Sequence, residues 1–567
     1  MSAPGASSSA LLAADAPRRR AAPRRPRWLL SAGALALLLL VATGCREKSR
    51  SAPEGILRVS QRNEPTDLDP ATASLPDEFF IIRALGEGLL VPNPAGGAPL
   101  PGAAAAYRVS DDGLTYTFQL RPGLQWSNGE PLTAADFLAS FRRVLTRATA
   151  APKAHLFYAV KNAEAFVWGQ VTAFDQVGFA APDPRTVVVT LAHPNPSFPL
   201  YVASGPWIPV NPRAVAQHGR HWTAPGRYVG NGPYVLTEWR SQRRIVVRRN
   251  PRYHAPAPVP TAEIQFIRFD NQDTEDRAYR AGQIDVTMAV PPSKLEPYAV
   301  ERAPELHRAP LAETRFLAFN TTRAPLSDAR VRRALALAID RDKLVTYVLR
   351  GGQHPATRYL SPALLAGSVL GGERGLDSAA AGQPPHPDSP SPLSYDPTES
   401  RRLLAQAGFP NGRGFPALEL AGWVQNPVLD AIQQMWRQEL GIEVRIVVQE
   451  AKVHLAAINA GAYDIAFVTS LLDVCDPVAA LTDFTTGAPN NFPHWSSPAF
   501  DEAVQRASRT ADPRPDILTA ESLLLESGAV APVYFNVQNW MMSTRVEGWQ
   551  QDALWSRRYN EVIVEGD

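Results

Sequence analysis

The chain has 567 residues, of which 45% are hydrophobic and 20% charged, with 53 prolines and 12 tryptophans. This length exceeds what one ordinary core supports, so we expect two or three lobes of a folded protein rather than a disordered chain. The formal net charge is +2, but residues 1–44 hold six arginines against one aspartate, and the remainder carries −3. A mildly acidic remainder gives no support to a nucleic-acid-binding protein.

The first 45 residues have the order of a secretory signal peptide. Arginines are concentrated in residues 18–27, and residues 28–41 form an apolar run that is short for a membrane span. The run ends in LVATGC over residues 40–45. Small residues before a cysteine resemble the bacterial lipobox, which implies that Cys45 receives a diacylglycerol and anchors the protein to a membrane. The alternative is a plain signal peptide that happens to contain Cys45.

Cysteine usage agrees with this interpretation. The chain has two cysteines, so an acylated Cys45 leaves Cys475 without a partner. No disulfide framework, zinc site or CxxC motif is then available. We expect Cys475 to be a small buried residue rather than a nucleophile, and we expect no cofactor, no metal site and no catalytic residue.

Hydrophobic periodicity predicts alternating strands and helices along the first half of the chain. Thr133, with Asp136 three residues later, predicts a helix start through a capping box. The other predicted elements are strand 56–60, a turn-rich loop over 61–70, helix 79–90 ending at Gly88, strand 114–120 after an Asp-Gly turn, and strand 185–191.

The second half predicts a further α/β region. Residues 329–344 predict one amphipathic helix, with Arg330, Arg332 and Arg333 on a solvated face. Residues 351–395 are rich in Gly, Pro and Ser and predict a surface excursion. The remaining predictions are a helix over 436–442 stopped at Gly441, strand 443–449, strand 463–469 and a helix beginning at Pro477.

Asp473 is the candidate site residue with the clearest chemistry. Its neighbours Leu471, Leu472, Val474 and Cys475 are apolar, and a carboxylate in such a setting is costly unless a cation meets it. It can cap the helix at Pro477, pair with a nearby arginine, or form an anionic socket for the amino group of a ligand. The residues alone leave these alternatives open.

Five blocks, in the same order, resemble the peptide-class extracellular solute-binding proteins, the oligopeptide- and dipeptide-binding components of ABC importers. They are residues 112–137, the NGPY stretch 230–239, residues 319–341, AQAGF at 405–409 and SPAFD at 497–501. The resemblance covers essentially all of the chain after Cys45. It implies an α/β two-lobed periplasmic-binding-protein (venus-flytrap) fold with two hinge strands and an extra domain inserted in the first lobe.

The implied division of the chain has six parts. Crossing strands are expected near 313–320 and 530–537, which are apolar and extended. The parts are the signal peptide 1–45, lobe I first part 46–95, the inserted domain 96–223, lobe I second part 224–313, lobe II 314–532 and the C-terminal part of lobe I 533–567.

The resemblance implies a monomer on the periplasmic face that captures oligopeptides between its lobes and delivers them to ABC importer permease subunits. In peptide binders an aspartate four residues before the proline of this turn receives the ligand's α-amino group, and Asp473 precedes Pro477 by four. We expect this carboxylate to wait unpaired in the cleft. Ser470, which we also expect to contact the ligand, stands where the family often has tryptophan. Phe467 stands where some oligopeptide binders have arginine, so no preference for peptide length carries over.

Four further residues match positions that line the cleft in the family. Asn491 precedes the SPAFD block, Asn536 lies on the returning hinge strand, and Glu64 and Thr66 lie on the first loop. For each, an ordinary loop or turn role is the alternative.

Three other functions stay open. An enzyme is one, although GxSxG, HExxH, P-loop and strand-linked GxGxxG motifs are missing from the sequence. The same fold binding an oligosaccharide or a metal chelate is the second, and a carbohydrate site would use stacked aromatic side chains. A peptide-binding sensor or murein-recycling component without an importer is the third.

Overall fold

The computed structural model describes residues 55–255, 259–370, 392–470 and 472–565. The predicted signal peptide with Cys45, and Leu471, lie outside the described residues. The described residues form one compact unit. Within the described ranges, no helix has the length and apolar character needed to span a membrane.

Twenty strands are assigned in the described residues. In chain order they are β1 Ile56–Gln61, β2 Leu90–Val91, β3 Leu100–Pro101, β4 Ala104–Val109, β5 Thr115–Leu120, β6 Phe179–Asp183, β7 Thr186–Thr190, β8 Tyr234–Arg240, β9 Arg244–Arg249, β10 Glu263–Arg268, β11 Leu306–Phe319, β12 His354–Pro355, β13 Leu418–Gly422, β14 Val444–Val448, β15 Ile465–Thr469, β16 Val530–Met541, β17 Val546–Glu547, β18 Gln550–Gln551, β19 Arg557–Arg558 and β20 Ile563–Val564.

The α-helices of the same residues flank these strands. They are α1 Pro76–Leu85, α2 Ala134–Leu145, α3 Ala163–Val167, α4 Phe198–Val202, α5 Pro212–His218, α6 Gln272–Arg280, α7 Pro292–Glu301, α8 Ala329–Leu337, α9 Arg341–Lys343, α10 Pro362–Gly367, α11 Pro397–Gln406, α12 Pro427–Leu440, α13 Ala451–Asn459, α14 Pro477–Thr482, α15 Pro498–Ala507 and α16 Arg514–Ser527.

Three larger sheets organise the chain. The sheet of lobe I has the order β1-β10-β9-β8, with β1 parallel to β10 and antiparallel pairs beyond it. The sheet of the insert, β4-β5-β7-β6, is antiparallel throughout. The sheet of lobe II has the order β12-β16-β11-β15-β13-β14 and is parallel among β15, β13 and β14. Each sheet packs on its own hydrophobic core.

The sheets support the predicted division of the chain. The strands of lobe I come from 46–95 and 224–313, those of the insert from 96–223, and most strands of lobe II from 314–532. We therefore propose the same division, except that the boundary between residues 95 and 96 falls inside the β2–β3 hairpin, in which Leu90 pairs with Pro101.

β11 and β16 are the long strands that connect the lobes, and they contain the stretches predicted as crossovers. They pair antiparallel from Leu306↔Met541 to Ala318↔Val530, with a register shift between Pro310 and Thr314. At this interruption the Ala312 N–H donates to the Ala553 carbonyl at 2.8 Å. Because a bulge breaks the ladder there, it is the natural bending point between the lobes.

Several local predictions are confirmed. The Thr133 backbone N–H and hydroxyl donate to Asp136 at 2.8 and 3.0 Å, and α2 follows directly. On β5, Tyr116 and Phe118 are buried as the alternation predicts. Gly441 ends α12 with φ of 67°, a left-handed conformation that glycine adopts without steric cost.

Three helix predictions are wrong in extent. The helix predicted over 436–442 begins earlier, since α12 runs from Pro427 to Leu440. Helix 79–90 is shifted, since α1 begins with Pro76 and ends at Leu85. The single helix 329–344 is divided: α8 ends at Leu337, Asp340 caps α9 through its side chain, and a π-helical turn follows over Leu344–Leu349. A new cap three residues after a helix end lets the chain change direction.

Arg332 corrects the prediction of a solvated arginine face. It is 4% exposed and donates to the carbonyl oxygens of Leu326 at 2.8 Å and Ser527 at 2.6 Å. Burial lowers the pKa of this guanidinium to about 10. Arg330 is exposed and pairs with Asp328, so only part of the cluster faces solvent.

Candidate functional site

Two adjoining cavities lie where lobe I, the insert and lobe II meet, and both are open to solvent; the space in them, including that solvent, is about 490 and 450 Å³. Both cavities are lined by Arg83 from α1 of lobe I and by Asp473 of lobe II. Apolar walls of the first cavity come from Phe79, Leu156 and Leu472.

Asp473 lies in this interlobe space, but the expectation that it is unpaired is wrong. The ammonium group of Lys153 donates to Oδ1 of Asp473, and His155 Nε2 lies 3.5 Å from Oδ2. Both partners belong to the insert, 320 residues away from Asp473 in the case of Lys153. The side chains of Lys153 and Asp473 are 15% and 30% exposed. The carboxylate therefore ties lobe II to the insert across the cleft.

The surroundings of Asp473 act on its pKa in opposite directions. Burial alone raises the pKa, because it penalises the charged carboxylate. The hydrogen bond with His155 and the positive charge of Lys153 outweigh burial, and the net result is a lowered pKa. The carboxyl group is consequently ionised at neutral pH and fit to receive a cation.

Lys153 lies in a turn of the insert that is followed by buried side chains. The turn continues into a short 3-10 helix, Ala154–Phe157, whose Leu156 and Phe157 are buried. The Phe157 ring stacks on Trp207, with centroids 4.2 Å apart and planes at 5°. Because the anchoring rings are fixed, the backbone of Lys153 is held at the edge of the cleft.

Asp476, not Asp473, caps the helix that begins at Pro477. Its Oδ1 accepts from the Val478 N–H at 3.0 Å and from the Ser197 hydroxyl at 3.2 Å, and its Oδ2 accepts from the Tyr201 hydroxyl at 2.8 Å. Asp476 is 2% exposed, and burial raises its pKa. Ser197 and Tyr201 belong to the insert, so this carboxyl group makes a second tie between the insert and lobe II.

The other predicted ligand-binding residues of lobe II make internal contacts. The Ser470 hydroxyl accepts from the Thr314 N–H at 2.8 Å, and the side chain is buried. Asn491 is 5% exposed and donates to the carbonyls of Thr485 at 3.1 Å and Trp495 at 2.7 Å. Asn536 donates to Glu313 at 3.1 Å on the neighbouring hinge strand.

The two predicted residues of the first loop also bind within the protein. Glu64 accepts from the Trp239 indole N–H at 2.9 Å and the Gln242 N–H at 3.0 Å. The Thr66 hydroxyl donates to Glu78 at 2.7 Å. Among the described residues that were predicted for the site, Asp473 is the one that lines the two cavities.

No sequence pattern indicated the cationic side of the cleft. None of its residues, Lys153, His155 and Arg83, belongs to a recognisable motif, and their approach to residues 473–476 depends on how the insert packs on lobe II. In the second cavity Arg83 faces Asp552: burial lowers the pKa of Arg83 and raises that of Asp552, while their opposite charges offset part of each shift. The available signal was a lysine and a histidine two residues apart in a short loop between apolar runs.

Comparison with known proteins places this chain in a family. The profile described as bacterial extracellular solute-binding proteins, family 5 Middle, matches residues 98–492. The periplasmic murein peptide-binding protein MppA of Escherichia coli (strain K12) is 30% identical over 88% of this chain and 91% of its own. The periplasmic oligopeptide-binding protein OppA of Salmonella typhimurium is 30% identical over 92% and 95% of the two chains.

The solved structures include an OppA of Haemophilus influenzae in complex with the peptide RPPGFSPFR. It has a TM-score of 0.73 and 25% sequence identity, and the match covers 91% of this chain and all of the other. The predicted two-lobed α/β fold class is confirmed by these similarities.

Substitutions at Asp476 separate its hydrogen bonds from its charge. Asp476→Ala removes the cap and the acceptor for Tyr201, and we expect a loss of about 1–3 kcal/mol in the free energy of unfolding. Asp476→Asn keeps an acceptor and removes a buried charge, so we expect unchanged or higher stability at neutral pH.

The dependence of stability on pH shows in which direction the charge of Asp476 acts. With its pKa raised by burial above the ordinary 3.8, the Asp476 carboxyl contributes stability that is present below 3.8 and lost as pH rises through the raised pKa. The advantage of Asp476→Asn over the native chain should therefore shrink as the pH falls towards 3.8. Thermal unfolding of both variants over this range measures it, and an Asn variant as unstable as the Ala variant at neutral pH contradicts the assignment.

Proposed function

The chain belongs to the bacterial extracellular solute-binding proteins of family 5, and we propose that it captures oligopeptides with a free N-terminus between its lobes. The bound peptide is delivered to the permease subunits of an ABC importer. The observation that carries the proposal is the ionised carboxylate of Asp473 in a cavity between the two lobes and the insert.

The chemistry common to all peptides explains why such a carboxylate is useful. Every unmodified peptide has an α-ammonium group, and a charge-assisted contact to a partly desolvated carboxylate recognises it whatever the sequence. Main-chain groups of an extended ligand can pair with strand edges, while bridging water accommodates different side chains. Of the predicted site residues we propose Asp473 alone as a direct ligand contact, because it lines both cavities between the lobes, whereas the others bind within the protein and line neither cavity.

We propose that closure of the lobes signals to the importer that a ligand is bound. A ligand that contacts Asp473 on one side and lobe I or the insert on the other binds the closed state preferentially and shifts the population towards it. The register shift in β11 provides the bending point. We propose that the closed form is what the permease subunits recognise, and that the protein acts as a monomer without catalytic activity.

Native mass spectrometry of the purified mature protein tests the ligand class. We expect a series of co-purified masses that differ by amino-acid residues, because recognition of the α-ammonium leaves the sequence free. A single oligosaccharide or metal-chelate mass would replace the proposed ligand by another solute in the same fold.

We also propose that Cys45 carries a lipid anchor, which holds the protein at a membrane of the cell envelope. The support is the apolar run and the small residues over 40–45. The intact mass of detergent-extracted protein should correspond to a chain that starts at Cys45 and bears a diacylglyceryl group. A chain cleaved elsewhere and free of lipid contradicts the anchor.

Asp473→Asn tests the role of the carboxylate. The neutral amide retains the size of the side chain but loses the charge, and truncating one partner of such a pair costs about 2–5 kcal/mol of binding free energy. Isothermal titration should show this loss for tripeptides with a free N-terminus and a much smaller one for the N-acetylated forms. An equal loss for both kinds of peptide removes Asp473 from this role.

A further inference from the structure

We propose that Lys153 competes with the ligand's α-ammonium group for Asp473 and thereby lowers the affinity of the cleft for a free N-terminus. Its ε-ammonium occupies the Asp473 carboxylate in the absence of ligand and leaves it when the N-terminus of a peptide enters. This inference rests on the proposed function, because it takes the Asp473 carboxylate as the place where the ligand's ammonium binds.

The first support is chemical equivalence. A lysine side chain ends in a primary ammonium with three donors, the same group as the N-terminus of a peptide. In this structure that group donates to Oδ1 of Asp473, while His155 lies 3.5 Å from Oδ2. Both oxygens of the carboxylate thus face cation-forming side chains of the insert.

The second support is space and charge. Lys153 and Asp473 both line the larger cavity and are 15% and 30% exposed, so an entering ammonium would meet Lys153 at short range and with little water between them. Two cations beside one carboxylate repel each other more strongly there than in bulk solvent. Binding of the ligand's ammonium and retention of Lys153 on Asp473 therefore oppose one another.

The third support is that Lys153 can move while its backbone stays in place. The turn is anchored by Phe157, which stacks on Trp207 at 4.2 Å. The side chain has a flexible four-carbon stem, so rotation about its own bonds releases the carboxylate without disturbing the insert.

Competition of this kind lowers the affinity of the cleft for peptides with a free N-terminus. The apparent affinity of a ligand is multiplied by the fraction of protein whose site is free. Such a peptide exchanges the internal ion pair for its own, so loss of the first pair offsets part of the free energy that the second provides. An N-blocked peptide forms no pair with Asp473 and leaves Lys153 in place, so it escapes this cost. Removal of Lys153 should therefore raise the preference of the cleft for a free N-terminus over a blocked one.

Lys153→Met tests the proposal, with Lys161→Met as the matched control, since Lys161 is an exposed lysine of the same insert. Titration calorimetry with trialanine and N-acetyl-trialanine measures both ligands on the native chain and both variants. We expect Lys153→Met to bind trialanine about tenfold or more tightly than the native chain, because the competing ammonium is gone. The Lys161→Met control should bind as the native chain does.

Small-angle scattering of the unliganded proteins adds a second measurement. We expect a larger radius of gyration for Lys153→Met, since one tie across the cleft is lost, and a return to the closed value on adding trialanine. Lys153→Gln, which keeps polarity without charge, takes the place of the methionine variant if that one does not fold.

The outcomes distinguish the two proposals. Equal or weaker binding of trialanine by both Lys153 variants, with binding retained by the native chain, overturns the competitor and leaves the peptide-binding function standing. Absence of binding of either peptide by the native chain and by the variants overturns the proposed function and the competitor together.

Discussion

The contact between lobe II and the insert depends on how two carboxyl groups that lie three residues apart are compensated. Asp473 and Asp476 both leave bulk water when the lobes meet, and an uncompensated carboxylate in that position opposes closure. The compensating groups of both come from the insert: the ammonium of Lys153 for one, and the hydroxyls of Ser197 and Tyr201 for the other. The extra domain is therefore part of the closing surface.

The two aspartates show how one turn supports two different tasks. Cationic partners lower the pKa of Asp473 against the effect of burial, and the group stays charged and exchangeable. Asp476 has neutral hydroxyl partners and a helix N-terminus, and burial raises its pKa. A carboxylate that must receive a cation needs solvent access and a displaceable partner. A carboxylate that caps a helix is more effective when it is excluded from solvent.

The fold was predictable from the sequence because its signals are local. The alternation on β5, the Thr133–Asp136 capping box and the stop at Gly441 each specify their element with a few neighbouring residues. The site was predictable in part. An aspartate in an apolar turn marked Asp473, but no local pattern connects it with Lys153, which is 320 residues away. The burial of Arg332 was not predictable for the same reason, since its acceptor, the Ser527 carbonyl oxygen, lies 195 residues further along the chain.

Cys475 sits between the two aspartates, and its position has a practical consequence. Its sulfur lies against Gly367, where an added Cβ would come within 2.6 Å, and burial holds the pKa of the thiol well above its usual range. It lines the second cavity together with residues of lobe I, so separation of the lobes hydrates it. The rate at which an alkylating reagent modifies the Cys475 thiol therefore measures how often the lobes separate, and no fluorescent label has to be attached.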